Sequence, residues 1–360
     1  MTVLVTGGAG FIGSRLVARL AADYDRIVVL DNLHPQVHGP HAMPPVFPAN
    51  AVFLQGSIDD RAAVVAAIDA ADPRLVFHLA AETGTGQSYD EIARYTAVNI
   101  SGTAILIEEL RRRAPKLQRA VLAGSRSVYG EGLHRRGDGS FAVPAPRTPE
   151  RMAAGDFQPR DGDGAALEPV ATPETAPPQP SSVYASTKLM QEYLFAQGFA
   201  GTAVSPVVLR FQNVYGPGQS LRNPYTGVLS IFCAQILAGA TLDIYEDGAI
   251  ARDFVFVDDV VEALCLAGSA AAPGGDPINI GSGEAATILA AAETLLGLLG
   301  ADRSRREISG KFRAGDVRCA VADITRAEQR LAWRPKIDLA TGLAALAAWA
   351  RETRSTMTDG

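Results

Sequence analysis

The stretch TVLVTGGAGFIG, residues 2–13, decides the fold. Its first five residues are apolar or β-branched and predict a short buried strand. Glycines stand at positions 7, 10 and 13, where that strand turns into the helical stretch GFIGSRLVARLAA. Gly7 allows a tight turn, Gly10 lets a pyrophosphate approach the backbone, and Gly13 lets the helix pack closely on the strand. Because the first N–H groups of a helix are free and its dipole is positive there, the turn predicts a dinucleotide site.

An acidic residue, Asp31, ends the next predicted strand, RIVVLD, eighteen positions after Gly13. A carboxylate at this place accepts hydrogen bonds from the ribose hydroxyls of an adenosine. It would also repel a 2′-phosphate, and no arginine follows it in the next ten residues. The pattern therefore favours NAD over NADP as the cofactor.

Short apolar runs alternate with helical stretches along the first half of the chain. The predicted strands after RIVVLD are AVFLQ, RLVFHLAA and LQRAVLAGS, with RAAVVAAIDA and IARYTAVNISGTAILIEELRRR as helical stretches between them. This alternation predicts an α/β fold built on a Rossmann-type doubly wound parallel sheet. We expect residues 1–215 to form the NAD-binding domain and residues 216–352 to form a smaller C-terminal substrate-binding lobe. Some segments should cross between the two.

The alternation stops between about residues 131 and 181. This segment is crowded with Pro, Gly, Asp and Arg, and regular structure resumes with SSVYASTKLMQEYLFAQGF. A loop of this length inside a compact domain is unusual and is often functional or partly disordered. We treat the segment as a long insertion in the first domain.

Composition excludes several classes of protein. The 360 residues are 47% hydrophobic and 20% charged with a net charge of −6, so we expect no nucleic-acid partner. No run reaches the ~18 apolar residues of a membrane span, and the N-terminus has no basic signal segment. Cys233, Cys265 and Cys319 lie far apart, which fits a reducing compartment better than a disulfide frame or a zinc site. We expect a cytoplasmic protein without a membrane partner and without a bound metal.

The run YASTK places Tyr184 and Lys188 four residues apart, so that on a helix their side chains share one face. Such a pair is usually an ordinary surface contact; the alternative is a tyrosine that acts as a base. A free tyrosine has a pKa of about 10, and lowering it by roughly three units takes about 4 kcal/mol of differential interaction. A neighbouring ammonium and a positive nicotinamide would both favour the phenolate. The pair alone does not decide between these interpretations.

Nine motifs occur in one order along nearly the whole chain, and together they are specific. They are TGGAGFIG, LDNL, HLAAE, VNISGT, GSRSVYGEG, YASTK, RFQNVYGPGQ, RDFVFVDDV and FRAGDVR. In these motifs the chain resembles an extended short-chain dehydrogenase/reductase of the nucleotide-sugar epimerase and dehydratase kind. The resemblance implies a Rossmann fold, NAD as cofactor, and a nucleotide-diphosphate sugar as substrate.

The resemblance also implies a role for individual residues. Tyr184 would be the general base, Lys188 its partner, and Ser125 would hydrogen-bond the reacting hydroxyl. The implied cofactor-binding residues, besides Tyr184 and Lys188, are Gly7, Gly10, Phe11, Ile12, Gly13, Asp31, Asn32, Ser57, Ile58, Leu79, Ala80, Ala81 and Asn99. The implied substrate-binding residues, besides Ser125, are Thr83, Gln87, Arg126, Asn213, Arg252, Arg313 and Asp316. Ser57 departs from the pattern, because an aspartate is usual there and the change would weaken an adenine contact.

The reaction depends on groups beyond the tyrosine. Relatives that are 4,6-dehydratases carry an Asp-Glu pair directly after the serine or threonine of this motif, and here those positions are Arg126 and Ser127. We therefore expect a 4-epimerase working through a transient 4-keto sugar. Its substrate would be a dTDP-deoxyhexose such as dTDP-L-rhamnose, since the chain looks most like the dTDP-L-rhamnose 4-epimerases. A 4,6-dehydratase or oxidative decarboxylase, and a non-catalytic NAD-sensing protein, remain alternatives.

The long helical stretches around residues 91–113 and 182–199 are expected to pair with their copies in a homodimer, as the resemblance implies. The first has apolar residues around most of its circumference, which is consistent with burial on two sides.

Overall fold

A computed structural model describes residues 1–39, 43–221, 223, 225, 227–269, 274–313 and 315–358, with side chains through residue 354. In these residues the strands are β1 (Thr2–Thr6), β2 (Arg26–Asp31), β3 (Ala51–Gln55), β4 (Leu75–His78), β5 (Arg119–Ser125), β6 (His134–Arg135), β7 (Phe141–Ala142), β8 (Glu168–Pro169), β9 (Ser205–Phe211), β10 (Asn213–Tyr215), β11 (Leu242–Ile244), β12 (Ala251–Arg252), β13 (Phe254–Phe256), β14 (Ile278–Ile280), β15 (Ala286–Thr287), β16 (Arg306–Ile308) and β17 (Cys319–Ala320).

Helices connect and cover these strands. The α-helices are α1 (Phe11–Leu20), α2 (Pro35–His38), α3 (Arg61–Ala71), α4 (Ile92–Tyr95), α5 (Thr103–Arg113), α6 (Pro149–Ala153), α7 (Val183–Gly198), α8 (Val228–Leu237), α9 (Val257–Gly268), α10 (Ile288–Leu298), α11 (Thr325–Leu331) and α12 (Leu339–Thr358). Short 3-10 turns span Gln87–Tyr89 and Arg126–Tyr129, and a π-helical turn spans Thr96–Gly102. None of the described helices is long and apolar enough to cross a membrane.

One seven-stranded sheet organises the molecule, in the order β14-β9-β5-β4-β1-β2-β3. Every neighbouring pair in it is parallel. Since β1 pairs with both β2 and β4, the chain reverses its winding direction beside β1. Ligands of open α/β sheets bind at such a switch point, outside the carboxyl ends of the strands. The predicted Rossmann-type doubly wound fold is confirmed.

Strand β1 shows how both faces of the sheet are buried. Its side chains alternate, so Val3 and Val5 belong to an apolar core with Leu264 of α9, on the face that α1 also covers. Leu4 points the other way, into a core that includes Leu106 of α5 and Phe195 of α7. A sheet covered on both faces explains why its strands read as continuous apolar runs.

A third apolar core lies in the C-terminal half, where α8, α10 and α12 bring together residues such as Phe232, Leu296 and Leu346. The chain also returns to the large sheet from this half. Strand β14 is the seventh strand, and α9 packs over the same face as α1. The division at residue 215 stays a prediction, and these two segments cross it.

The insertion is built of short regular elements. Strand β6 pairs antiparallel with both β7 and β8, and α6 begins at the capping hydroxyl of Thr148. Asp161 holds a turn by accepting hydrogen bonds from the backbone N–H groups of Asp163 and Ala165.

The predicted long helix before β5 runs from Ile92 to Arg113 and contains a π-helical turn. It consists of α4, the π-helical turn Thr96–Gly102, and α5. Asn99 lies in the π-helical turn and is fully buried, with its amide hydrogen-bonded to neighbouring segments of the chain. Such turns are frequent at functional sites.

Candidate active site

The glycine turn after β1 is packed so closely that side chains are excluded from it. A Cβ added at Gly13 would lie 2.2 Å from the carbonyl oxygen of Gly7. Gly7 itself has φ +72°, and its own added Cβ would lie 2.6 Å from the backbone nitrogen of Ala80, just after β4. Among the described residues no side chain caps the start of α1, which begins after Gly10. The turn therefore presents backbone to the end of the sheet, as the glycine spacing predicts.

Asp31 ends β2 beside this turn and is 8% exposed. Its two carboxylate oxygens accept hydrogen bonds from the backbone N–H groups of Ala9, at 3.0 Å, and Leu33, at 2.9 Å. An ionised carboxylate offers about four acceptor positions, so each oxygen can still accept a further bond. The carboxylate is thus fixed at the place where a ribose would lie.

A cleft of about 470 Å³ runs along the carboxyl ends of the strands from Asp31 to Tyr184. All the predicted cofactor-binding residues except Asn99 line it. Among the predicted substrate-binding residues, those on its wall are Thr83, Ser125, Arg126 and Asn213.

Asn99 does not reach the cleft wall, because its side chain is used inside the protein. Its Oδ1 accepts the N–H of Glu82 at 2.8 Å, and its Nδ2 donates to the carbonyl of Glu82 at 3.1 Å and to Thr187 Oγ1 at 2.9 Å. Asn99 thus ties the loop after β4 to α7, the helix that holds Tyr184. A direct contact between Asn99 and the cofactor stays a prediction.

The two central side chains lie on the first turns of α7, whose N-terminus is capped by the hydroxyl of Ser182. Lys188 Nζ donates to the carbonyl of Ala123 at 2.7 Å and to the side-chain oxygen of Gln191. Burial lowers the pKa of Lys188 to about 8, and the charge of Glu192 acts against that shift.

The phenol of Tyr184 lies beside Ser125 and Arg126 at the end of β5. Burial raises the pKa of Tyr184, while a hydrogen bond with Ser125 and the positive charge of Arg126 lower it. We expected the ammonium of Lys188 to lower the pKa of this phenol; the charge that lowers it in the structure is the guanidinium of Arg126, and burial outweighs that effect. Ser125 Oγ also contacts Ser127 Oγ at 2.9 Å, which fixes the turn that follows β5.

Arg126 connects the cleft with a second group of charges. Burial and, to a smaller extent, the positive charge of Arg252 lower the pKa of Arg126 to about 10. Arg252 is buried and donates to Asp316 Oδ1 at 2.6 Å. Arg313 lies over the ring of Tyr245, with 5.0 Å between the guanidinium carbon and the ring centroid. Arg252, Arg313 and Asp316 lie beyond the cleft wall, and their contact with a substrate stays a prediction.

Gln87 is buried and occupied by other side chains. Its amide exchanges two hydrogen bonds with the amide of Gln36, at 2.8 and 2.9 Å, and donates to Glu91 at 2.8 Å. Gln36 and Gln87 therefore join α2 to the 3-10 turn Gln87–Tyr89. Substrate binding by Gln87 stays a prediction, and Gln36 is a residue that the sequence reasoning missed.

Gln212 is another residue that the sequence reasoning missed. It is 6% exposed, lines the cleft directly after β9, and its Oε1 has no hydrogen-bond partner among the described residues. The side-chain oxygen of Asn213 is also buried and also has no hydrogen-bond partner among the described residues. A buried acceptor without a donor is costly, so these oxygens suit a ligand that brings hydrogen-bond donors. The signal in the sequence was a polar pair directly after an apolar strand.

These features fit NAD. Gly7, Gly10 and Gly13 leave room for a pyrophosphate at the start of α1, and Asp31 can accept ribose hydroxyls. Tyr184 and Lys188 line the opposite end of the same cleft, where the nicotinamide would lie.

Comparison with known proteins gives the family. The model of the NAD dependent epimerase/dehydratase family matches residues 3–150 and 162–281. The chain is 38% identical to a dTDP-L-rhamnose 4-epimerase of Burkholderia thailandensis, over 96% of this chain and 94% of that protein. The solved structure of a Thermotoga maritima UDP-glucose 4-epimerase with UDP-glucose is similar at a TM-score of 0.80 and 30% identity, covering 98% of this chain and 100% of the other.

A second solved structure bears on the cofactor. The Thermus thermophilus UDP-glucose 4-epimerase in complex with NAD has a TM-score of 0.76 and 27% identity, covering 98% of this chain and 99% of the other. The family match and the glycine turn agree, and the cofactor is NAD. The chain belongs to the NAD dependent epimerase/dehydratase family.

Proposed function

We propose that the protein is a nucleotide-sugar 4-epimerase that acts through a transient 4-keto sugar on a dTDP-deoxyhexose such as dTDP-L-rhamnose. The observation that carries this proposal is the position of Tyr184. Its phenol contacts Ser125 and lies beside Arg126, in the cleft that also contains the residues fitting NAD. The similarity to a dTDP-L-rhamnose 4-epimerase over nearly the whole of both chains supports the choice of substrate.

Each central side chain has a defined task in this reaction. The phenolate of Tyr184 removes the proton of the sugar C4 hydroxyl, and it returns that proton when the hydroxyl is formed again. Ser125 hydrogen-bonds the same hydroxyl, and Lys188 is held at the cleft by Ala123 and Gln191. Bound NAD supplies a hydride acceptor that also returns the hydride. Re-formation of the alcohol with the opposite configuration at C4 completes the epimerisation.

The residues after Ser125 favour epimerisation over dehydration. Elimination of water needs a further acid and base near the sugar, and Arg126 and Ser127 provide no carboxylate. Glu82 lines the cleft, but its carboxylate lies 3.3 Å from the guanidinium of Arg94. Its carboxylate is therefore held in an ion pair, which suits it poorly as the acid of an elimination.

The masses of the products test the proposal. Purified protein is incubated separately with dTDP-L-rhamnose, dTDP-glucose and UDP-glucuronate. The products are separated, and their molecular masses are determined by mass spectrometry. We expect a new isomer of unchanged mass from dTDP-L-rhamnose. Loss of water would indicate a 4,6-dehydratase, loss of carbon dioxide an oxidative decarboxylase, and bound NAD without turnover a sensing protein.

We also infer a cytoplasmic homodimer. Met190 and Tyr193 on α7 and Ile92 on α4 are exposed apolar side chains on the two helical stretches expected to pair. The three cysteines form no disulfide, which is consistent with a reducing compartment. Light scattering coupled to gel filtration should give twice the mass of the chain, and a monomer would contradict the dimer.

A further inference from the structure

The insertion contributes a buried cation to a charged cluster that joins the insertion to the C-terminal half of the chain. We call this set the Arg147 cluster; its members are Glu131, Arg147, Glu246, Asp316 and Arg318. The side chains of Arg147 and Glu246 are only 2% and 1% exposed, and that of Glu131 is 9% exposed. Charges so well removed from water are tolerated only when they are paired and hydrogen-bonded.

Arg147 contacts three distant parts of the chain at once. Its Nε donates to Glu131 at 2.8 Å, and its Nη1 donates to Glu246 at 2.8 Å. Its Nη2 donates to the backbone carbonyl of Asp316 at 2.8 Å. A planar guanidinium has donors pointing in several fixed directions, so one side chain can fix the relative positions of all three.

Glu131 and Glu246, the two carboxylates bound to Arg147, also bind Arg318 in the same C-terminal segment. The other oxygen of Glu131 accepts the backbone N–H of Arg318 at 2.7 Å, and the other oxygen of Glu246 accepts Arg318 Nη1 at 2.8 Å. The backbone from Asp316 to Arg318 is therefore held at both of these residues by the cluster.

Further contacts between the insertion and this segment extend the connection. Thr172 pairs with Val321 and Asp323 through its backbone, at 2.9 and 3.0 Å. At the other end, the hydroxyl of Ser181 donates to the carbonyl of Gly315 at 3.1 Å. The insertion thus follows residues 315–323 along their length.

The segment held in this way includes one partner of the Arg252–Asp316 ion pair. Asp316 Oδ1 accepts Arg252 Nη2 at 2.6 Å, while its backbone carbonyl is bound by Arg147. Arg313 precedes the same segment. In the proposed function, Arg252 and Arg313 bind the diphosphate of the nucleotide sugar, and this step of the reasoning rests on that proposal.

We propose that Arg147 is a positioning residue, through which the insertion holds residues 315–323 and the Arg252–Asp316 pair in place to bind the nucleoside diphosphate of the substrate. The insertion then governs substrate affinity, while the NAD end of the cleft is built without it. Arg147 does not touch the reacting atoms.

The test compares Arg147→Lys with Arg135→Lys. Both replace an arginine of the insertion and keep its charge, but the side chain of Arg135 pairs with Glu168 on the surface. A lysine at position 147 has no fixed fork and cannot bind Glu131, Glu246 and Asp316 together. We expect Arg147→Lys to weaken binding of dTDP and UDP and to raise the KM for the sugar nucleotide by about tenfold, with kcat and bound NAD unchanged. Arg135→Lys should behave as wild type.

Hydrogen–deuterium exchange gives a second readout that does not depend on the substrate. Amides in residues 315–323 should exchange faster in Arg147→Lys, because the Arg318 N–H loses a fixed acceptor, and those around the glycine turn should not change. If Arg147→Lys does not fold, Glu131→Gln gives the same comparison, since it weakens the cluster and keeps the cation.

The outcomes separate this inference from the proposed function. Unchanged diphosphate affinity, or unchanged exchange in residues 315–323, would overturn the role of Arg147 alone. A loss of kcat or of bound NAD as large, in fold-change, as the rise in KM would indicate general structural damage. That result would also overturn the role of Arg147. A wild-type protein that binds neither dTDP nor UDP would overturn the proposed function, and this inference with it.

Discussion

The two ends of the site, the glycine turn in the cleft and the Arg147 cluster beyond the cleft wall, are built by different means. At the NAD end, a few neighbouring residues shape the backbone, and Gly13 lies only six positions from the Gly7 carbonyl that it must approach. At the Arg147 cluster, Arg147 joins Glu131, Glu246 and Asp316, which lie 16, 99 and 169 positions from it in the sequence. The first end depends on local steric fit, and the second depends on long-range charge pairing. Variants at each end should therefore fail in different ways.

The largest effect is expected at Tyr184, at the end of the cleft opposite Asp31. Tyr184→Phe removes the base while keeping the ring, so turnover should fall by about 10²–10⁴-fold with NAD and dTDP binding retained. Tyr193→Phe is the matched control, because Tyr193 lies on the same helix outside the cleft lining and phenylalanine keeps its apolar ring. Steady-state kinetics and the NAD content of purified protein provide the measurements. Full turnover in Tyr184→Phe would mean that another group is the base.

A smaller effect, confined to the NAD end, is expected for Gly13→Ala. The new methyl group would meet the Gly7 carbonyl, so we expect about 1–3 kcal/mol of destabilisation and loss of most of the bound NAD. Gly137→Ala is the control, since a Cβ at Gly137 meets no atom of the described residues within 4 Å. Thermal unfolding and the absorbance of released NAD would report the change. Wild-type NAD content in Gly13→Ala would contradict the close packing of this turn.

The smallest effect is a shift in pH dependence from Arg126→Met. The positive charge of Arg126 lowers the pKa of Tyr184 against the opposing effect of burial. Without that charge the pKa of Tyr184 rises, and the phenolate form is lost at a higher pH than in wild type. The acidic limb of kcat against pH should move to higher pH, while Arg135→Met leaves it in place. An unmoved limb would show that Arg126 does not act on the phenol.

The sequence predicts the fold and the NAD end of the site better than the rest. The glycines of the turn and Asp31 contact residues that are close to them in the sequence. The shape of the turn can therefore be predicted from local geometry. Asn99 shows the limit, because its motif did not indicate that its side chain joins Glu82 to Thr187 inside the protein. Gln36 and Arg147 lay outside any motif, and only the folded chain brings them to Gln87 and Asp316. Such partnerships are set by tertiary packing, which no local pattern encodes.

The return of β14 to the large sheet has a consequence for how the gene can be divided. A fragment ending at Tyr215 would retain the glycine turn and Asp31 but would leave β9 as a bare edge strand and uncover the apolar face beneath α9. Neither half is then an independent module, and exchanging one between homologues would require carrying residues 257–280 along with the half that contains the glycines.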